Sequence, residues 1–369
     1  MMHVRTVAVG TLIVLLLAGC SSSPNDATPT SKPSSLKPPT DSGTAMPVWA
    51  KVMRQPVDGL HLVTQHREYV VTRGSDESGI TTVTDRTTGK VVVRHTPATG
   101  FVAQSPVVVD DHWALIEDIR SEGPSPEIRV FRYDLTTGRA AGLGSLPPVS
   151  EPEIGAYDGT FAYSSTDAKN RSCLIVAELS TLESHTVACV AAPGYIADPV
   201  VSPYAVTFSE ITAPETARRC KRVLTAALTG GPARPVPAAT NCLQWSGASL
   251  AGATVWSEVG ATDPDQFQSK AYVRESADSP ARWVGTVVTD TILACGNWIL
   301  WETRTVADGN ESYQINRWRP RLGRPQRVYA GRPGVALTPM TCQDGTVYVE
   351  AAYLSTTPSY TETISAAVT

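Results

Sequence analysis

Acidic side chains recur in this chain at positions from which a fold can gather them. Glu117, Asp118, Glu210, Glu258, Glu302 and Glu350 each close a short apolar run. Asp76, Glu77, Asp167, Asp263, Asp265, Asp308 and Glu311 lie in the polar stretches that follow. Carboxylates brought onto one face raise the local cation concentration and suit a basic partner or a metal. Two pressed together separate their pKa values, which is what acid–base work on a glycosidic bond requires. Asp118, Glu210, Glu258, Glu302 and Glu350 are therefore taken as the candidate ligand face. Other chemistries leave no mark. The motifs G-x-S-x-G, H-E-x-x-H, G-x-x-x-x-G-K and G-x-G-x-x-G are absent. His61, His66, His95, His112 and His185 form no local ligand set. Asp263-Pro264-Asp265 and Asp308-Gly309-Asn310-Glu311 lack the spacing of a dedicated calcium loop. No catalytic residue, metal or cofactor is assigned.

Six cysteines lie beyond residue 20: Cys173, Cys189, Cys220, Cys242, Cys295 and Cys342. An even set without C-x-x-C fits disulfides in an oxidising compartment better than a metal site. Cys173 and Cys189 are equidistant from Thr181, and Cys220 and Cys242 from Gly231. Each pair is expected to face itself across a hairpin, where opposed Cα atoms lie about 4.5–5.5 Å apart. Cys295 and Cys342 form the remaining pair.

The elements that must position these groups are strands. From residue 57 onward there is no helical periodicity of useful length, only short runs of Val, Ile, Thr and aromatics broken by turn residues. One motif has its third position at Val71, Ile116, Tyr163, Phe208, Trp256, Trp301 and Tyr348, at spacings of 45, 47, 45, 48, 45 and 47. A strand-and-turn motif runs in phase with it, as in Asp85-Arg86-Thr87-Thr88-Gly89-Lys90 and Asp134-Leu135-Thr136-Thr137-Gly138-Arg139. Propeller blades repeat every ~40–50 residues, so seven copies predict an all-β, seven-bladed β-propeller of four-stranded antiparallel blades. A ring of six or eight blades and a pair of sandwiches are the alternatives. The last unit holds three strands, so 47–53 is expected to supply the fourth and close a propeller spanning 46–369. Phe208, Trp256, Trp301 and Tyr348 are expected to pack between blades. Arg317-Trp318-Arg319-Pro320-Arg321, with Arg324 and Arg327, is expected on a solvated outer hairpin of blade six. Cys295 and Cys342, one repeat apart, are expected to join the inner strands of blades six and seven.

The N-terminus sets the compartment. His3 and Arg5 flank an apolar core over 7–17, too short for a bilayer that takes roughly 20 helical residues. It ends Leu17-Ala18-Gly19-Cys20, which resembles the lipobox of bacterial lipoproteins. That resemblance implies a signal peptide over 1–19, acylation of Cys20 by a palmitate-type lipid, and anchoring on the extracytoplasmic side of the cell membrane. Of the 25 residues in 21–45, 16 are Ser, Thr or Pro and none is aromatic. Residues 20–45 therefore read as a disordered tether.

Val201-Ser202-Pro203-Tyr204-Ala205-Val206-Thr207-Phe208, with the turns Asp158-Gly159 and Asp344-Gly345, is similar to the Ser-Pro-Asp-Gly strand motif of TolB-like propellers. The chain resembles bacterial lipoprotein propellers related to TolB and WD-repeat rings, over 47–369. No blade carries a complete Ser-Pro-Asp-Gly and there is no Trp-Asp dipeptide. The resemblance speaks to fold, because propellers host unrelated functions. A net charge of −4 argues against a nucleic-acid partner. The expected function is a monomeric, lipid-anchored binding or scaffold module that holds an envelope protein, peptide or glycan on one propeller face. A carboxylate-dependent glycan hydrolase or lyase and an accessory sensor domain are the alternatives. Binding predicts a wide flat face. Catalysis predicts a central pocket where two carboxylates converge.

Overall fold

The computed structural model describes residues 46–368, apart from 57–59, 75–78, 105–106, 121–125, 213–219, 238–243, 260–267, 308–309, 339, 355 and 357. Among the described residues there are strands and turns and no α-helix. Cys20, Cys242, Asp76, Glu77, Asp263, Asp265, Asp308, the side chain of Cys220, and the signal and tether segments lie outside the described residues.

Seven antiparallel sheets follow one another around a ring. Blade 1 runs Leu60–Gln65, Tyr69–Gly74, Thr81–Asp85 and Val91–His95, from the innermost strand outward. Blade 3 runs Ile154–Tyr157, Thr160–Thr166, Arg171–Glu178 and Ser184–Ala191. Blade 4 runs Tyr195–Val201, Ala205–Thr212, Cys220–Ala227 and Arg234–Pro235. Blade 5 begins at Gln244–Leu250 and Ala253–Glu258, and blade 6 at Leu293–Cys295 and Trp298–Ala307. In blade 2 the inner position is split into Val102–Ala103 and Val108–Val109, both paired with Trp113–Arg120. Blade 7 does the same with Ala336–Leu337 and Thr341–Gln343 against Thr346–Tyr353. Its third strand, Tyr360–Ala367, pairs with Ala50–Pro56, so the start of the described chain forms the outermost strand of the last blade. Lys51 reaches Glu362 at 2.9 Å across this pairing, and the Trp49 indole donates to the Val328 carbonyl of blade 6 at 2.8 Å.

The second strand of each blade is covered on both sides, which explains its unbroken apolar runs. Leu115 packs with Phe161 and Tyr163 of blade 3, whereas its neighbour Ile116 packs with Val71 and Val83 of blade 1. Successive side chains point to opposite sheet faces, and here both faces are core. Phe208, Trp256 and Trp301 fill the gaps toward the preceding blade. Tyr348 does not. Val347 and Val349 pack toward blade 6 instead, and Tyr348 lines the central cavity. One residue of slip turns a side chain to the other face. The in-phase turns hold the outer hairpins. Asp85 accepts from the amides of Thr87 and Thr88 at 2.8 and 2.9 Å, and Asp134 from those of Thr136 and Thr137 at 2.7 and 3.2 Å. Gly138, at φ +69°, closes the second turn where a Cβ would lie 2.2 Å from the Val92 carbonyl.

Two disulfides agree with the sequence. Cys173 and Cys189 are directly opposed across a hairpin, with Cα atoms 4.0 Å apart. Cys295 and Cys342 join the inner strands of blades 6 and 7, at 5.5 Å.

Candidate functional site

The two faces of the ring differ. On one, the turns that follow the innermost strands reach across the axis. The Tyr204 hydroxyl of blade 4 donates to the Asn297 side-chain Oδ1 of blade 6 at 3.0 Å. The Gln343 amide of blade 7 donates to the Val109 carbonyl of blade 2 at 3.2 Å. Tyr157 sits among them, its pKa raised by burial and by Asp158 and Asp344. Behind this stitched face lies a cavity of about 570 Å³, lined by inner-strand residues from blades 1, 3, 4, 6 and 7 and by Val107 of blade 2.

The second-strand carboxylates do not line that cavity as a set. The second strand stands one strand away from the axis, so its side chains point into the gaps between blades. Asp118 is 1% exposed and bonds His95 Nε2 at 2.8 Å. Glu258 is 2% exposed and accepts from the Trp256 indole at 2.8 Å. Glu302 is 1% exposed, and its Oε1 has no hydrogen-bond partner. Glu210 pairs with Arg222 at 2.6 Å on its own blade. Glu350 alone reaches the cavity wall, bonded to His61 Nδ1 at 2.6 Å. The five do not share one setting: Asp118, Glu258 and Glu302 are buried with different surroundings, Glu210 pairs within its blade and Glu350 faces the cavity. Burial raises Glu117 to about 7, helped by Asp118, and Glu302 to about 8. Arg317 and Arg319, expected at a solvated edge, are buried, with their guanidinium carbons 3.8 and 4.6 Å from the centre of the Trp298 ring. The edge reading fails for these two, because the third strand of a blade and its end are still flanked by neighbours, and holds for Arg321, Arg324 and Arg327, which are exposed.

A different group of charges meets at the start of the innermost strands. Gly155 of blade 3 packs against blade 4 so closely that a Cβ would lie 2.1 Å from the Pro199 carbonyl. That approach brings Glu153 to Asp198, whose amide donates to Glu153 Oε2 at 2.6 Å. Asp198 sits at φ +50° in a bulge between Ala197 and Val200. Its carboxylate pairs with Lys221 at 2.5 Å, and the Lys221 ammonium lies 3.9 Å over the Trp245 ring. Asp290 lines the cavity near them. Burial pushes Glu153 up to about 8, with Asp198 adding and Lys221 opposing. Burial and Asp198 also raise Asp290. Glu153, raised to about 8, thus stands beside the Asp198–Lys221 salt bridge, with the raised carboxyl of Asp290 nearby. Across the cavity, Arg73 donates to Thr81 Oγ1 at 3.1 Å and to the Gln104 carbonyl at 2.5 Å. Burial lowers its pKa to about 10 against the pull of Asp118. None of Glu153, Asp198, Lys221 or Asp290 stands out in the sequence, because each belongs to one blade and breaks the repeat. Asp167 lies beside Cys173 and Cys189, but both sulfurs are in the disulfide and offer no thiolate.

No family model matches the chain, and no curated protein does. Similar solved structures include one from a study of two prolyl endopeptidases, at a TM-score of 0.55 and 13% identity, over 81% of this chain and 46% of that one. An acylaminoacyl peptidase matches at 0.46 and 14%, over 67% and 42%. A TolB-type protein from Agrobacterium tumefaciens matches at 0.38 and 11%, over 66% and 85%. The chain spans less than half the length of both peptidases, and at these identities the likeness is one of fold.

Proposed function

We propose that this propeller is a lipid-anchored binding module of the cell envelope that takes the end of a peptide or glycan into its axial cavity. One observation carries the reading: a cavity of about 570 Å³ on the axis lined by Asp290, with Glu153 and Asp198 adjoining its lining residues Ile154 and Pro199 and Lys221 paired to Asp198. Ligand sites combine a shaped, mainly apolar wall with a few convergent polar groups of perturbed pKa. A flat docking face for a large protein lacks such a pocket, so a small ligand or a chain end fits better. The anchor rests on Leu17-Ala18-Gly19-Cys20.

A second reading is favoured by the same rim. Glu153, its pKa raised to about 8 beside the Asp198–Lys221 salt bridge, has the arrangement of a general acid, which suits cleavage of a glycosidic bond. One experiment separates the two. Envelope peptides and glycan fragments are screened by thermal shift, with the products followed by mass spectrometry, for the wild type and Glu153→Gln. A binding module shifts with a ligand, yields no product, and loses affinity in the variant. An enzyme yields a product that the variant abolishes while the thermal shift persists. A screen in which neither Glu153→Gln nor Asp290→Asn changes the response removes the cavity from the function. Palmitate incorporation lost in Cys20→Ser tests the anchor.

A further inference from the structure

We propose that the blade 6–7 side of the stitched face docks on anionic lipid headgroups, so that the propeller rests with its closed end to the membrane and its open end away from it. The charge that carries this is local. Residues 312–343 hold six Arg and no Lys, Asp or Glu, in a chain of net charge −4. Arg317 and Arg319 are buried over Trp298. Arg321, Arg324, Arg327 and Arg332 are exposed and form no ion pair among the described residues.

Topology gathers three of these at one end. The third strand of blade 6, Asn310–Trp318, sets Trp318 opposite Ile299, beside the Gly296–Asn297 turn of the stitched face. The turn over 319–325 therefore stands at that end with Arg321 and Arg324, and Arg327 lies at the start of the outermost strand, Gln326–Ala330. The edge strand of blade 7 begins at the same end: Ala50 is opposite Ser365, and Ser365 is opposite Tyr348, just past the Asp344–Gly345 turn. Met46, Val48 and Val52 on this edge are 53, 85 and 43% exposed. Trp49 holds the edge to blade 6, its ring 5.2 Å from that of Tyr329. Guanidinium matches phosphate oxygens in bidentate geometry, and apolar side chains beside it enter the headgroup layer. Each Arg near an anionic surface strengthens binding about fivefold. Asp85, Asp111 and Asp134 of blades 1 and 2 stand at the same end, so the attraction is confined to the blade 6–7 side. The choice of lipid as partner rests on the anchor proposed above. Cys20 stands 26 residues before Met46, so an acylated Cys20 keeps this edge within ~90 Å of the bilayer, where a contact that is weak from free solution gains from effective concentration.

The test uses the full chain carrying Cys20→Ser, so the surface is judged without the anchor, and palmitate incorporation judges the anchor separately. Co-sedimentation is measured with vesicles of phosphatidylcholine containing phosphatidylglycerol and with vesicles of phosphatidylcholine alone. We expect binding to the anionic vesicles only, weakening as salt rises. Arg321→Asn, Arg324→Gln and Arg327→Gln together should weaken it at least about thirtyfold. Lys90→Gln with Arg139→Gln, exposed at the same end on blades 1 and 2, should bind as the wild type does. Hydrogen exchange on the vesicles should slow at 46–50 and 319–328 and stay unchanged at the Tyr353–Tyr360 hairpin of the open end. No binding to anionic vesicles, a triple variant that binds as tightly as the wild type, or slowing confined to 353–360 overturns the proposal. Binding to dissolved polyphosphate without binding to vesicles does the same.

Discussion

Glu302 offers the sharpest test of how the blades pack. Its carboxyl is 1% exposed, held between blades with Oε1 unpartnered, and burial raises its pKa from 4.5 to about 8. The folded chain therefore holds a proton between pH 4.5 and 8 that the unfolded chain has lost. Stability falls as pH rises wherever the folded state binds more protons. At ~1.4 kcal/mol per pH unit, with the slope fading above pH 8, Glu302 alone removes about 3 kcal/mol between pH 6 and 9. Glu302→Gln keeps the volume and cannot ionise. Urea midpoints measured every half unit should fall less steeply for the variant, with the two curves near each other at pH 4, the variant about 2 kcal/mol ahead at pH 6 and about 5 kcal/mol ahead by pH 9. Glu117 and Glu153 shift in the same direction, so the variant keeps part of the slope. Parallel curves for variant and wild type would refute the reasoning, because Glu302 would then ionise without penalty.

The other expectations can be checked on the same material. Gly155→Ala places a Cβ against the Pro199 carbonyl and should cost about 2–4 kcal/mol by denaturant unfolding, while pushing Glu153 away from Asp198. Removing Cys295–Cys342 by paired Ser substitutions frees a loop of 47 residues and should cost about 4 kcal/mol; removing Cys173–Cys189, across 16 residues, should cost about 3 kcal/mol, so the two midpoints should rank in that order. Asp118→Ala removes the buried hydrogen bond to His95 Nε2 and should lower stability by roughly 1–3 kcal/mol, whereas Glu210→Ala, whose partner Arg222 is partly exposed, should change it by under about 1 kcal/mol.

Much of the architecture was legible because a propeller writes its period into the chain. Seven apolar runs at a spacing of 45 to 48 residues, with Asp85 and Asp134 heading equivalent turns, carry the blade count without any long-range information. Spacing of cysteines carried two cross-links in the same way. The side on which a residue points was less legible. Both faces of the second strand are core, so no hydrophobic alternation fixes its register, and Tyr348 was read one position out of phase. The same ambiguity affects the acids. Glu302 stands one place after the motif's third position, whereas Asp118, Glu210, Glu258 and Glu350 stand two places after it. A set with mixed parity cannot point one way.

The deeper reason that the candidate site escaped the sequence is geometric. A repeat motif identifies what all blades share, and what they share is the packing between neighbours. Only the edge of the innermost strand meets the axis, and that strand varies in length, from three residues in blade 6 to seven in blades 4 and 5. Its polar neighbours differ from blade to blade, because seven identical groups around one axis would crowd like charges together. Function on an axis therefore needs departures from the repeat: Glu153 before blade 3, the bulged Asp198 in blade 4, Asp290 before blade 6. The stitched face follows the same logic in reverse. His66, Asp111, Asn297 and Asp344 are also unlike one another, yet each contacts a neighbour across the ring. One end of the axis spends its irregular residues on closure, which leaves the other end open to hold a ligand.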